Sequence, residues 1–187
     1  MLRIAVVLTV LLFTVAMASA TGVGRFQQEL DMCTGRHEAS YAQQVSGCTI
    51  IIEHMHEIVP QASPDLWVLM ISESYMYRAV AHQHLGDIVR AEADFNESVR
   101  LTPDHAPTFI ERGRFFLGSW RLIKAREDFR TAIKLDPDSA NAHWHLGIIY
   151  ERLGQKIHAM IEYQTVLRLT PDFTEARTRF DKLQNTK

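Results

Sequence analysis

Apolar and small residues recur at a fixed spacing along most of the chain, and this repetition is the strongest pattern in the sequence. Five columns of similar residues repeat every 34 positions. They hold a small residue at Ala79, Gly113 and Gly147, alanine at Ala91, Ala125 and Ala159, an aromatic ring at Phe95, Phe129 and Tyr163, leucine at Leu101, Leu135 and Leu169, and proline at Pro103, Pro137 and Pro171. A regular period of this length indicates stacked repeats, each of which is one supersecondary unit.

Each repeat contains two predicted helices. Apolar or small positions fall at i, i+4 and i+7 in the first half of each unit, and those of the second half also lie on one face of a 3.6-residue period. The first helices are expected over residues 73–85, 108–117 and 141–153. The second helices carry the alanine and aromatic columns, and the proline column ends each of them because proline cannot extend a helix. The small residue inside each first helix predicts a close approach by its neighbouring helix.

These units resemble tetratricopeptide repeats in the columns just described. The resemblance implies an all-α fold, a right-handed solenoid of antiparallel helix pairs, with repeats at residues 67–105, 106–139 and 140–173. It also implies protein or peptide binding. Three features depart from the family pattern. The family's tryptophan column holds Tyr75, Phe109 and His143, its late tyrosine is His82 in the first unit, and Trp120 stands where the middle unit would have a turn glycine.

The segments on either side of the repeats are also predicted to be helical. After Pro171, apolar residues at helical spacing and a charged opposite face predict a capping helix within residues 174–187, which would cover the last repeat. Residues 21–66 form an irregular first unit, with helices expected at 28–35 and 41–58 and a linker with two prolines at 59–65. This opening, with a cysteine before a short loop, resembles that of exported bacterial tetratricopeptide repeat proteins.

Residues 1–20 have the pattern of a signal peptide. Arg3 gives a positive start, residues 4–17 are apolar apart from two threonines, and residues 18–20 supply the small side chains of a cleavage site. The apolar run is shorter than the roughly 20 residues that a membrane-spanning helix needs. We expect cleavage before Thr21, with an uncleaved anchor as the alternative. The mature protein would then be periplasmic or secreted, without a permanent membrane anchor.

The two cysteines are predicted to form a disulfide. Cys33 and Cys48 fall on consecutive helices of one predicted hairpin, where antiparallel packing could bring them together. Disulfides persist in proteins that leave the reducing cytosol. A free buried pair and a pair of metal-binding thiolates are the alternatives.

Composition and local motifs argue against nucleic-acid binding and catalysis. The formal net charge is −2, whereas a nucleic-acid-binding surface would be strongly basic. The sequence has neither the Gly-x-Ser-x-Gly motif of a nucleophilic serine nor a phosphate-binding glycine loop. Paired acidic residues, Glu92 with Asp94 and Glu127 with Asp128, are expected on solvated helix faces. We therefore predict a protein that is not an enzyme and needs no cofactor.

The nine histidines include three pairs at i and i+2 that could suggest a metal site. The pairs are His54 with His56, His82 with His84, and His143 with His145. On a helix such residues point roughly 200° apart, so the two rings of a pair cannot hold one ion. His82 and His143 also occupy columns that hold aromatic residues in the sister repeats, so packing explains them. We predict no metal site.

The first helices are expected to line a concave groove that binds the partner. The residues facing it would be Glu73, Met76, Val80 and His84 in the first repeat, Ile110, Arg114 and Leu117 in the second, and Asn141, Trp144, Ile148 and Arg152 in the third. Exposed apolar groups beside two arginines suit an extended peptide with acidic and apolar side chains. The alternative is that Trp144 and Ile148 pack against the neighbouring repeat or the cap.

Three functions remain open from the sequence. The leading one is a protein- or peptide-binding scaffold in the cell envelope or the extracellular space. An envelope enzyme or metal-binding protein on the same scaffold is the second, and a permanent structural subunit of a larger assembly is the third. A chaperone C-terminal tail is a poor candidate ligand, because Met76 and Val80 fill the places of the lysine and asparagine with which related domains hold such tails.

Overall fold

The computed structural model describes residues 20–185, and every regular element in that range is helical. The helices are α1 (Ala20–Cys33), α2 (Tyr41–Ile58), α3 (Pro64–His84), α4 (Ile88–Leu101), α5 (Ala106–Gly118), α6 (Leu122–Leu135), α7 (Ala140–Arg152), α8 (Lys156–Leu169) and α9 (Thr174–Asn185), with a short 3-10 turn at Arg36–Glu38. Within each of the two units described below, consecutive helices pack against each other. The predicted all-α fold class is confirmed.

No described helix is both long enough and apolar enough to cross a membrane, and the predicted signal peptide lies outside the described residues except for Ala20.

The helices fall into two compact units. Helices α1 to α4, up to Thr102, form the first unit, and helices α5 to α9, from Pro103 onward, form the second. Each unit has its own buried apolar residues. The predicted second and third repeats and the capping helix therefore lie in the second unit.

In the first unit, α1 and α2 are held together by a disulfide and by a close backbone approach. Cys33 and Cys48 are bonded, with a Cα–Cα distance of 4.5 Å, as the sequence analysis predicted. A Cβ atom added at Gly47 would lie 2.8 Å from the backbone oxygen of Glu29, so no larger residue fits between these helices without a shift. Around the bond lies an apolar cluster that includes Phe26, Leu30, Ile51 and Met55.

Helix α3 begins earlier than the sequence pattern predicted. It starts at Pro64 rather than near residue 73, and the linker is correspondingly shorter than residues 59–65. Ser63 caps the helix, since its Oγ accepts a hydrogen bond from the backbone N–H of Leu66. Proline is well suited to the first helical position, where its missing N–H would have no partner in the helix. Trp67, in the added turns, donates its Nε1–H to the carbonyl of Val59 at 2.9 Å.

In the second unit, the repeating small and aromatic columns form the contacts within each helix pair. A Cβ atom added at Gly113 would lie 3.0 Å from the ring of Phe129, and one added at Gly147 would lie 2.5 Å from the ring of Tyr163. The glycine of each first helix therefore makes room for the ring of the second helix. This is the close approach that the sequence pattern predicted.

Helix α9 closes the second unit as the predicted capping helix. Its Ala176 is buried in a cluster with Val166 and Leu167 of α8, and Phe173 and Phe180 pack against the same cluster. Most of the remaining side chains of α9 are exposed. One face of the helix thus covers the last helix pair and the other faces solvent.

Two buried ion pairs, one in each unit, contradict the expectation that Asp94 and Asp128 lie on solvated faces. Arg78 donates from Nε and Nη2 to the carboxylate of Asp94, at 2.8 and 2.9 Å. Arg112 makes the same paired contact with Asp128, at 2.9 and 2.7 Å. Both aspartates are buried. Each arginine comes from a first helix and each aspartate from the second helix of the same pair, so the ion pair joins the two helices.

Candidate functional site

The predicted groove residues are less exposed than expected. Met76, Ile110 and Leu117 are buried, and Val80 and Ile148 are half-buried. The expectation of an exposed apolar surface at the first three positions is therefore wrong. The physical reason is that a helix in a stack of helix pairs is contacted on more than one side, so side chains next to the packed columns are also covered.

His84 is exposed, but its ring is occupied within the first unit. It stacks on the ring of Tyr41 from α2, with 4.2 Å between ring centroids and only 4° between the planes. Its sequence neighbour in the predicted pair, His82, is buried instead and lies 3.9 Å from a carboxylate oxygen of Asp94. The two histidines therefore have different surroundings, as their positions on a helix require.

Trp144 packs against the capping segment. Its ring lies 4.8 Å from that of Phe173 and 5.4 Å from that of Tyr163, between centroids. The guanidinium of Arg179, on α9, lies 5.6 Å from the Trp144 ring centroid. For Trp144 the structure therefore shows the alternative given in the sequence analysis, packing against the cap. We therefore assign it a packing role in the second unit.

The two arginines of the predicted groove meet at a cleft in the second unit. The cleft has a volume of about 260 Å³ and lies between the end of α5, the turn after it, and α7. It is lined by Arg114, Leu117, Gly118, Trp120, His145 and Arg152. Three of the eleven predicted groove residues, Arg114, Leu117 and Arg152, thus share one concave site.

Trp120, like Gly118 and His145, lines the cleft but was not among the predicted groove residues. Its side chain is 71% exposed, and the guanidinium of Arg152 lies over its ring, 4.5 Å from the centroid. An arginine over the face of a tryptophan is attracted by the ring's quadrupole. The contact fixes the relative position of the two side chains at the mouth of the cleft.

The backbone of Trp120 is in the left-handed region. Its φ angle is +56°, and the corresponding residues of the other repeats are Gly86, with φ +81°, and Gly154, with φ +70°. Side chains other than glycine are strained in this conformation, typically by about 1–2 kcal/mol. The sequence analysis identified Trp120 as a departure from the family pattern, but did not assign it to the site.

The cleft carries an excess of positive charge. Arg114 is partly neutralised, since its Nη1 donates to both carboxylate oxygens of Glu111 at 3.1 Å. Glu151 turns away from the cleft and accepts hydrogen bonds from Tyr163 and Arg179. Arg152 contacts the Trp120 ring and has no ion pair with a carboxylate among the described residues. Its charge is therefore available to an anionic ligand.

His145 forms one wall of the cleft and is held neutral. Its ring stacks on that of Phe129, with 5.1 Å between centroids. Its Nδ1 is buried and has no hydrogen-bond partner among the described residues. Burial, with a smaller contribution from the charge of Arg114, lowers the pKa of His145 to about 4. At neutral pH the ring is therefore an uncharged, largely apolar surface.

The lowered pKa of His145 predicts acid sensitivity of the second unit. The folded protein binds this proton less readily than the unfolded chain, so stability is complete above pH 6.5 and falls as the pH decreases from about 6.5 to 4. The expected loss at pH 4 is about 3 kcal/mol. We expect His145→Phe, which keeps the ring stack, to remove that part of the pH dependence in urea unfolding at pH 7.5 and pH 4. An equal pH dependence in both proteins would contradict this assignment.

The first unit has a larger depression, but its charged groups pair with one another. The depression has a volume of about 620 Å³ and lies beside the short 3-10 turn. Asp31 accepts a hydrogen bond from Gln27 at 2.9 Å and lies 3.5 Å from the guanidinium of Arg36 and 3.7 Å from the ring of His37. The charge balance gives no preference for a ligand there.

The described residues show no cluster of three or more His, Cys, Asp or Glu side chains that could hold a metal ion. The two histidines of the third pair, like those of the second, have different surroundings. His143 pairs with the carboxylate of Glu162 at 2.6 Å, whereas His145 lines the cleft. His54 lies near Glu53 and Glu57.

Two family models match the second unit. Residues 121–154 match the TPR repeat model, and residues 140–173 match the tetratricopeptide repeat model. Residues 121–173 therefore carry the tetratricopeptide repeat pattern. Helix α7, which carries His145 and Arg152, belongs to both of the tetratricopeptide matches. Trp120 lies immediately before the first of them.

Solved structures with tetratricopeptide repeats have a similar fold. The Arabidopsis OM64 TPR domain is 20% identical, with a TM-score of 0.60 over 64% of this chain and 99% of that one. A crystal structure of MamA protein is 17% identical, with a TM-score of 0.64 over 85% of this chain and 80% of that one. The second TPR domain of human RPAP3, in complex with an HSP70 peptide, is 24% identical, with a TM-score of 0.59 over 64% and 99% of the two chains. At these identities the likeness is one of fold. No curated protein matches the sequence.

Proposed function

We propose that this protein is a non-enzymatic scaffold that binds an extended peptide segment of another protein, through the cleft of the second unit. The ligand would carry acidic and apolar side chains. The observation that supports this most directly is the grouping of Arg114, Arg152 and the exposed Trp120 around one concave site. Two cations beside an aromatic ring suit a carboxylate with an apolar neighbour.

The fold supports the same proposal. One similar structure, the second TPR domain of human RPAP3, is in complex with an HSP70 peptide, and another, the first TPR of Spaghetti, is bound to an HSP90 peptide. Helix pairs of this type therefore present peptide-binding surfaces in those proteins. For this chain a chaperone tail remains a poor candidate, because Met76 is buried and Val80 is apolar, so neither can hold a carboxylate.

We propose that the protein acts outside the cytosol, in a bacterial periplasm or the extracellular space. The signal-peptide pattern of residues 1–20 supports export. The disulfide between Cys33 and Cys48 supports an oxidising compartment, where such bonds persist. Neither feature depends on the other.

The peptide-binding proposal can be tested by reversing the two charges of the cleft. The probes are synthetic peptides of equal length that alternate leucine with glutamate, lysine or glutamine. We expect the purified protein to prefer the glutamate peptide, and the double variant Arg114→Glu, Arg152→Glu to bind it at least tenfold more weakly, since each lost ion pair contributes on the order of 1 kcal/mol.

The matched control reverses two other exposed arginines of the second unit. Arg130 and Arg168 lie on the second helices α6 and α8, and neither lines the cleft. The variant Arg130→Glu, Arg168→Glu has the same net charge as the test variant, so its binding should be close to that of the original protein. Equal losses in both variants would indicate a general charge effect and contradict a site at the cleft.

A further inference from the structure

One end of the second unit is basic and the opposite end is acidic. We define the turn edge as residues 118–126 and 152–161. These two segments contain the connections from α5 to α6 and from α7 to α8, together with the N-terminal residues of α6 and α8. The turn edge contains Arg121, Lys124, Arg126, Arg152 and Lys156, and no Asp or Glu. At the other end, residues 135–140 and 169–175 contain Asp136, Asp138, Asp172 and Glu175, and no Lys or Arg. The small net charge of the chain conceals this separation.

The two segments of the turn edge lie side by side. Helices α5 and α7 pack against each other, and the ends of both lead into the turn edge. The contact between Arg152 and the ring of Trp120, at 4.5 Å, joins the two segments directly. The basic residues of both repeats therefore contribute to one surface.

Exposed apolar side chains concentrate on the same edge. Trp120 is 71% exposed, Ile123 51%, Ile157 73% and Ile161 54%. Leu135 is the one other large apolar residue of the described second unit with comparable exposure. Ile123 and Ile157 occupy equivalent positions, 34 residues apart, and a lysine adjoins each of them in the sequence. A cluster of exposed apolar side chains of this kind indicates an interaction site.

We propose that the turn edge binds the surface of an anionic membrane, as a peripheral contact that adjoins the peptide cleft and shares Trp120 and Arg152 with it. Tryptophan favours the boundary between lipid headgroups and hydrocarbon, where its ring is buried and its N–H stays hydrated. Isoleucine side chains that enter the same boundary leave water. Each Lys or Arg near an anionic surface strengthens binding roughly fivefold.

The position of the apolar groups favours a lipid surface over an acidic peptide at this edge. Ile123 and Ile157 lie in the first turns of α6 and α8, beside the turns themselves. Exposed side chains at the end of a helix pair can insert into the headgroup region of a lipid bilayer, which has no fixed walls. A peptide gains its specificity from a groove with walls, and the cleft with Arg114 already provides one next to this edge. The corresponding turn of the first unit has Asp87 beside Arg90, at 2.5 Å, so its charges are balanced.

Vesicle sedimentation tests this proposal. The probes are vesicles of phosphatidylcholine alone and of phosphatidylcholine mixed with phosphatidylglycerol. We expect the protein to bind the mixed vesicles and not the neutral ones, with weaker binding at high salt and a blue shift of tryptophan fluorescence. No binding to either vesicle, or equal binding to both, would overturn the proposal.

Two variants localise the contact without changing a residue that lines the cleft. Lys124→Gln with Lys156→Gln should weaken vesicle binding at least tenfold, and Ile123→Ser with Ile157→Ser should remove most of it. The control, Arg130→Gln with Arg168→Gln, loses the same charge at exposed positions outside the turn edge and should bind as the original protein does. Unchanged binding by both edge variants, with circular dichroism showing that they are folded, would overturn the proposal.

Binding of the glutamate–leucine peptide separates this proposal from the proposed function. The edge variants should keep their affinity for that peptide, because the cleft is intact. If the edge variants no longer bind the peptide and the original protein does not bind vesicles, the edge is part of a peptide-binding surface and the membrane proposal is wrong. If the peptide fails to bind any of the proteins, vesicle binding still decides the membrane proposal independently.

Discussion

Replacing Asp128 with alanine should lower the free energy of unfolding of the second unit by about 3–5 kcal/mol, the usual effect of removing one partner of a buried ion pair. The side chain of Arg112 is only 17% exposed, and both of its bonds to Asp128 are shorter than 3 Å. Without the carboxylate, the guanidinium stays in a largely dry site between α5 and α6. Its desolvation would then no longer be offset by that charge. Urea unfolding followed by circular dichroism measures the loss.

The double variant Arg112→Leu, Asp128→Leu is the control for this effect. It removes both charges, and the third repeat already has Leu146 in the arginine column. Because an apolar pair avoids the desolvation of two charges, we expect the double variant to be more stable than Asp128→Ala alone. A loss below about 1 kcal/mol in the single variant would show that water reaches the pair and that it acts as a surface ion pair.

Removing the disulfide should lower the stability of the first unit by about 3 kcal/mol. The bond joins residues that are 15 positions apart, and in the chain-entropy model the loss comes from the greater freedom of the unfolded chain. Alanine is the suitable replacement for Cys33 and Cys48, because both are fully buried and a serine hydroxyl would lack water. Urea unfolding of the double variant, compared with the original protein in the presence and absence of reductant, measures the effect.

Protein recovered from its native source tests the bond and the compartment together. Mass spectrometry without reduction should show a chain that begins at Thr21 and that has neither thiol available for alkylation. A chain that retains residues 1–20 would contradict cleavage before Thr21 and favour the uncleaved anchor. Two freely alkylated cysteines in natively purified protein would contradict the bond in that compartment.

The repeat pattern predicted the helix pairs well because its columns are the packing contacts themselves. Gly113 and Gly147 recur because a ring from the next helix lies against them, so the spacing reports on tertiary structure as well as on helix periodicity. The start of α3 was predicted wrongly for a local reason. The two prolines of residues 59–65 indicate a linker, but Pro64 stands in the first turn of the helix, a position that accommodates proline.

The candidate site was predicted only in part, because exposure depends on contacts that are distant in sequence. Arg114 and Arg152 were identified as groove residues, whereas nothing local shows that Ile110 and Leu117 are covered. The place of the Arg152 guanidinium over the Trp120 ring is also set by the packing of α5 and α7. The buried aspartates had a detectable signal. Arg78 and Arg112, like Asp94 and Asp128, are 34 residues apart, and a charged column in register with apolar ones indicates a paired, buried position.

Because the backbone of Trp120 is left-handed, stability favours glycine at this position, whereas the proposed functions need the indole ring. The exposed ring contributes little to the packing of the second unit, so a glycine there would relieve strain of about 1 kcal/mol. Laboratory selection for heat resistance would therefore favour loss of the indole, and so would design from the repeat consensus. Both would yield a more robust scaffold that lacks the side chain shared by the cleft and the turn edge. Efforts to stabilise this protein for practical use should hold Trp120 fixed.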